Sequence, residues 1–177
     1  FEQPSPPPEG FSLSTLKSTK FGTVYTTQLV GSDSDGGQWT GSLSMANRAQ
    51  GTLDGVLVTP RDILVRLTYQ GVSSASGATA YIDMSGYTLG LAQQDGTTCN
   101  PAFPYQLPDF VEIGDFGLQP IMTCSNGDSV VANWSAEDGG NGNMDFVSFV
   151  EIRPRFGGSS FTTQTLTLDR LGNILAY

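Results

Sequence analysis

Five carboxylates lie between positions 83 and 115: Asp83, Asp95, Asp109, Glu112 and Asp115. Two acids flanking a glycosidic bond can cleave it, one as general acid and the other as base or nucleophile. That chemistry depends on their separation in space, which order along the chain does not supply. Acids are common on any acidic surface, so no catalytic residue is assigned. A second acidic group, Asp33-Ser-Asp35-Gly36, resembles the start of a calcium loop. The twelfth position, where such a loop needs an acid, is Ser44, and flanking helices are missing from the pattern. A hairpin turn is the better reading, and no metal or cofactor is expected.

The stretch from Glu137 to Asp145 combines Glu137, Asp138, Asn141 and Asn143 with three glycines. These side chains can hydrogen-bond sugar hydroxyls, although such a segment is more commonly a plain exposed connection. Trp39 and Trp134 are the only tryptophans. Either can stack on a pyranose, but aromatics dominate cores and interfaces, which is the preferred reading. Asn133-Trp134-Ser135 is a glycosylation sequon inside an apparent strand.

Several classes of chemistry are disfavoured by what the chain lacks. It has no histidine, which removes the Ser-His-Asp and Cys-His systems and the usual ligands of catalytic zinc. The expectation is a protein that is not an enzyme. The net charge is −9 and the cations are scattered. Nucleic-acid binding needs clustered cations, and Arg153-Pro-Arg155 is too small a cluster. An anionic membrane is disfavoured by sign, and no apolar run is long enough to span a bilayer. The N-terminus lacks the pattern of a signal peptide. Because the sequence starts at Phe1, it reads as a piece of something longer. Two cysteines, Cys99 and Cys124, are no disulfide framework. They are read as free thiols made in a reducing compartment.

The elements that must position these residues read as β. Residues 1–10, FEQPSPPPEG, hold three consecutive prolines and form a stiff polyproline-type arm. Residues 11–21 are polar with a few apolar anchors and read as its continuation over the surface, so the arm or hinge is 1–21. From Gly22 to Tyr177 come about eleven short alternating segments separated by turn signals, with no helical period. A compact antiparallel barrel or sandwich is expected. The first hairpin turns through residues 32–37, and the glycine of TLDGVLV marks a bulge.

One segment stands apart. Asp95 to Phe110, DGTTCNPAFPYQLPDF, carries three prolines and three aromatics. It is too stiff to join a sheet and has side chains to bury, so it should lie across the domain as a fixed shape. The run Thr52–Val58, then Asp95–Thr97, then Leu107–Phe110 resembles, in that order, the protruding domain of calicivirus capsid proteins. The arm and the closing segment, from Met144 onward, are similar to that family's hinge and late strand pair. The resemblance covers about half the chain. It implies an all-β outer module of a non-enveloped virus capsid, made in the host cytoplasm and displayed on the virion. Such a module is joined to the capsid shell, paired as a homodimer, and attaches to a host glycan or protein receptor through loops. No family binding residue matches. From the residues alone, the candidate ligand loops are Asp33 and Asp35, Tyr105, and Glu137, Asp138, Asn141 and Asn143. The acidic surface favours a neutral ligand. The rival readings are a free-standing carbohydrate-binding or adhesin domain and, further off, a carboxylate-dependent glycosidase.

Overall fold

A computed structural model describes residues 10–32 and 37–176. The chain opens with β1 (Phe11–Ser12), a single helical turn α1 (Ser14–Lys17), β2 (Val24–Ser32), β3 (Gln38–Asn47) and β4 (Gly51–Leu53). It continues through β5 (Val56–Tyr69), β6 (Val72–Asp83), β7 (Thr88–Gln93), β8 (Thr98–Pro101) and β9 (Phe110–Val111). Then come β10 (Phe116–Leu118), β11 (Met122–Cys124), β12 (Ser129–Gly140), β13 (Asn143–Arg153), β14 (Ser160–Leu168) and β15 (Ile174–Ala176). The protein is all-β, and every pairing between these strands is antiparallel.

The main sheet runs β15-β14-β13-β12-β11-β8-β7-β6-β5-β3-β2, with β10 beside β12 and β4 beside β5. This is close to a meander, since most strands lie next to their neighbours in sequence. The order does not close on itself: among the described residues, β2 and β15 are opposite edges. Of the barrel or sandwich expected from the sequence, this pairing does not form the closed barrel.

Three hairpins share one turn. Asp54-Gly55, Gln70-Gly71 and Asn141-Gly142 each place two consecutive residues at positive φ, between 48° and 81°. That is the type I′ geometry, whose twist matches the flanking strands. Two sequence readings are corrected here. TLDGVLV holds a tight turn between β4 and β5, not a bulge. The acidic 137–145 stretch is no loop: β12 runs to Gly140 and β13 restarts at Asn143. Its glycines and amides belong to a two-residue turn and an adjacent register shift between Asp138 and Gly140. Pro60 lies inside β5, at the point where β5 changes neighbour from β4 to β3. A missing N–H is tolerated there because no ladder partner is waiting.

The larger core packs the inward face of β12–β14 (Trp134, Met144, Phe146, Leu166) against Phe11 and Leu13. Leu13 is fully buried and Leu16 nearly so. Residues 11–16 thus enter the core instead of lying over the surface. Their few apolar side chains all point one way because a short strand is followed by one helical turn. A smaller core gathers Met122 and Val130 around the two cysteines.

Cys99 and Cys124 form a disulfide, which corrects the free-thiol reading. They are opposite residues of the neighbouring strands β8 and β11, with Cα atoms 3.9 Å apart. Strand pairing brings together thiols that are 25 positions apart in sequence. A cross-link closing a loop of that length stabilises by about 3 kcal/mol, chiefly through the unfolded chain. The unfolded, unreduced chain should therefore weigh two hydrogens less than the reduced one, and reduction should shift the urea midpoint down accordingly. Full thiol labelling of the unreduced, unfolded chain would contradict the bond.

Candidate functional site

The sequence candidates fall in different places. Asp33 and Asp35 lie among residues 33–36, outside the described residues. Tyr105 belongs to the body of the domain. Its carbonyl accepts from the Thr88 N–H at 2.8 Å, and its hydroxyl accepts from Trp134 Nε1 at 2.7 Å. Glu137, Asp138, Asn141 and Asn143 stand together at the turn end of the β12–β13 hairpin. Among the described residues, no hydrogen bond joins that group to Tyr105. Glu137 and Asp138 are consecutive strand residues and point to opposite faces. Glu137 accepts from the Ser135 hydroxyl at 2.8 Å, and Asp138 from the Gly140 N–H at 2.9 Å. Asn141 holds the first of the two turn positions and follows Gly140, whose φ is also positive.

Among the described residues, no hydrogen bond joins the side chains of any two of the five central acids. Asp83 accepts from the N–H groups of Ser85 and Tyr87, and Asp115 from that of Glu112. Asp109 pairs with Lys17. Asp95 accepts from the Thr97 N–H at 2.8 Å, and the backbone and hydroxyl of Thr97 hold its carboxyl below the usual range. Each of these four binds its own turn or a neighbouring lysine.

The proline loop is a buttress. Tyr105 props the Trp134 indole, and Leu107 packs on the larger core. A pocket of about 110 Å³ lies beneath it, with Tyr105, Arg61, Leu16 and Gln119 in its wall. Arg61 is buried and has no carboxylate partner among the described ion pairs. It donates to Asn47 Oδ1 at 2.8 Å, to the Leu16 carbonyl at 2.9 Å and to the Ser18 carbonyl at 2.6 Å. Burial lowers its pKa from the ordinary value, and the nearby Tyr25 phenol opposes that shift.

An aromatic surface feature lies elsewhere. Trp39, Leu67, Tyr69, Val72 and Ser74 line an open, mostly apolar depression of about 270 Å³. Strand register builds it: Trp39 lies opposite Tyr69 on β5, and Tyr69 opposite Val72 on β6. Gly41, opposite Leu67, allows β5 to approach too closely for any side chain there. A Cβ there would sit 2.8 Å from Leu67 Cδ2 and 2.1 Å from the Arg66 carbonyl oxygen. Trp39 is half-buried, so part of its indole is open to solvent. Such a surface can stack on the apolar face of a sugar ring, and Ser74 supplies a hydroxyl. The sequence marked Trp39 as an aromatic of interest. Its companions come from strands some 30 positions away, so the cluster itself was hidden.

Among the described residues, no three acids or cysteines gather as a metal site, and no helix is long and apolar enough to cross a membrane. The chain matches no family model, no curated protein and no solved structure.

Proposed function

We propose that the chain is the outer, protruding domain of a non-enveloped virus capsid protein, a homodimer that attaches the virion to a host cell without performing catalysis. The observation that carries attachment is the Trp39–Tyr69 depression, an aromatic platform at the end of the β3–β5–β6 sheet. The ordered likeness at Thr52–Val58, Asp95–Thr97 and Leu107–Phe110 supports the capsid assignment. The disulfide fits an exterior surface, since such bonds persist on virions and cell surfaces. The ligand is a neutral glycan or a neutral protein surface, because a polyanion is repelled by a chain of charge −9. The partners are the shell region of the same capsid protein, a second copy and the receptor; neither nucleic acid nor a lipid bilayer is among them.

A shallow platform gives weak single-site binding, on the order of 1 mM, and relies on many copies. A multivalent display of the chain on a glycan array should retain neutral glycans, and Trp39→Ala should abolish that retention without unfolding the domain. Retention only of sulfated or sialylated glycans, unaffected by Trp39→Ala, would refute this placement. The same disulfide also favours a second reading, a secreted carbohydrate-binding or adhesin domain. A shell domain encoded upstream decides for the capsid, and a secretion signal there decides for the adhesin.

A further inference from the structure

The outward face of β10, β12, β13 and β14 is apolar where a solvated face would be polar. Phe116 is 76% exposed, Leu118 73% and Phe161 63%. Val147 and Phe149 lie between them, half-buried, with the Phe149 ring 5.7 Å from that of Phe161. This is not a chance register. Gly117 lies opposite Trp134, and a Cβ on Gly117 would sit 2.5 Å from the indole. Only glycine fits on the core side, so β10 must present Phe116 and Leu118 outward. The three most exposed side chains together uncover on the order of 400 Å² of apolar surface. The largest apolar patch of a typical monomer is roughly 300–600 Å² and often functional. A standard interface buries roughly 800 Å² per partner, about twice this apolar area, so the polar rows around it would have to supply the rest.

Charge tells what covers this face. The middle cross-strand rows, Ser135–Val147–Thr165 and Asn133–Phe149–Thr163, carry no charge. Charges stand only at the two ends. Glu137 and Asp145 lie at the turn end of the β12–β13 hairpin. Glu151 and Arg153, joined at 2.7 Å, lie at the other. An uncharged centre with a charged rim is the anatomy of a protein interface. Two molecules of net charge −9 can approach closely only where carboxylates are absent or opposed by cations.

We propose that this face pairs two copies of the chain, sheet on sheet, about a two-fold axis that lies in the interface and runs across the strands. An axis along the strands would lay acidic end on acidic end. The axis across them reverses the strand direction and sets Glu137 and Asp145 over the ion pair between Glu151 of the partner subunit and Arg153 of the partner subunit, which has no net charge and holds the cation of this face. The pairing is isologous, as a closed dimer requires, and aligned sheets pack in this way. Glu137 then belongs to the dimer rim and leaves the ligand-contacting set. The proposal rests on the functional reading above only for its homodimer, and it gives that dimer a surface.

The test is light scattering and sedimentation on the whole chain up to about 100 µM, well above the dissociation constants of standard interfaces. Wild type should be a dimer. Leu118→Glu should weaken association about 100-fold, as for a central interface residue. Its circular dichroism should be unchanged, because Leu118 is already exposed. Leu171→Glu, a control at an exposed apolar residue in the β14–β15 turn, should stay dimeric. Arg153→Glu should weaken the dimer, and adding Glu137→Arg should restore it. A monomeric wild type, a Leu118→Glu dimer of native affinity, or a glycan found on Asn133 would overturn the interface. Failure of the charge swap to restore pairing would overturn the axis. The glycan array reads attachment separately, so loss of one result leaves the other standing.

Discussion

Trp134→Ala should lower the free energy of unfolding by about 3–5 kcal/mol, the usual cost of removing a buried large aromatic. Trp134 is 6% exposed and carries three relationships at once. Its ring stacks on Phe146 with centroids 5.6 Å apart. Its Nε1–H is satisfied by the Tyr105 hydroxyl, and Gly117 leaves the space it fills. Tyr105→Phe should cost less, about 1–3 kcal/mol, because it deletes one hydrogen bond and leaves the indole N–H without an acceptor. Gly117→Ala should also destabilise, because the new methyl meets ring atoms that are themselves packed. Equilibrium urea unfolding gives all three values. If Trp134→Ala cost less than about 1 kcal/mol, the indole would not be the keystone of the larger core, and the proline loop would need another purpose.

Arg61→Met should cost about 2–4 kcal/mol, since it removes three hydrogen bonds and leaves buried oxygens short of donors. Methionine keeps much of the volume of the aliphatic stem, so the loss reports the guanidinium. The Leu16 carbonyl and Asn47 Oδ1 lose a donor, while the Ser18 carbonyl keeps the one from Asn47 Nδ2 at 2.7 Å. The damage should be local as well as global. Residues 16–20 are tied to the sheet through these bonds and through Thr59, whose hydroxyl donates to the Thr19 carbonyl at 3.4 Å. Amide exchange of residues 13–18 should accelerate more than that of β12 or β13. Uniform acceleration across all strands would show that Arg61 supports the whole sheet rather than this segment.

The strands were legible in the sequence because alternation and paired glycine turns are local signals. The β2–β3, β5–β6 and β12–β13 segments, for instance, can be read from a dozen residues each. What failed depended on distant partners or on composition that points two ways. Phe11, Leu13 and Leu16 looked like sparse surface anchors, because the face they bury against is made by residues 134–168. The cysteines looked unrelated, because the register of β8 against β11 is not a property of either strand. The 137–145 stretch looked like a loop, because a type I′ turn and a flexible linker use the same residues. Sheet closure could not be read at all, since alternation says which face is buried but not where the edges end. The candidate site divides in the same manner. Trp39 was visible as a type of residue, whereas the depression around it exists only through its pairing with Tyr69.

The meander order has a consequence for how the chain reaches its native state. Most strands pair with a sequence neighbour, so each ladder can start at its own turn. Yet most contacts still join positions a dozen or more apart, and β topologies of that kind cross their folding barrier slowly, in roughly milliseconds to seconds. Hairpins can form in microseconds and add one to the next as the chain lengthens. The opening residues do not follow this course. β1 pairs with β9, the Leu13 N–H donates to the Asp109 carbonyl, and the Ser12 N–H donates to the Arg170 carbonyl. The first described residues to leave a ribosome are therefore among the last to lock. Their docking waits until nearly the entire chain is available, so cooperative completion of this domain is a late, long-range event laid over an otherwise sequential assembly.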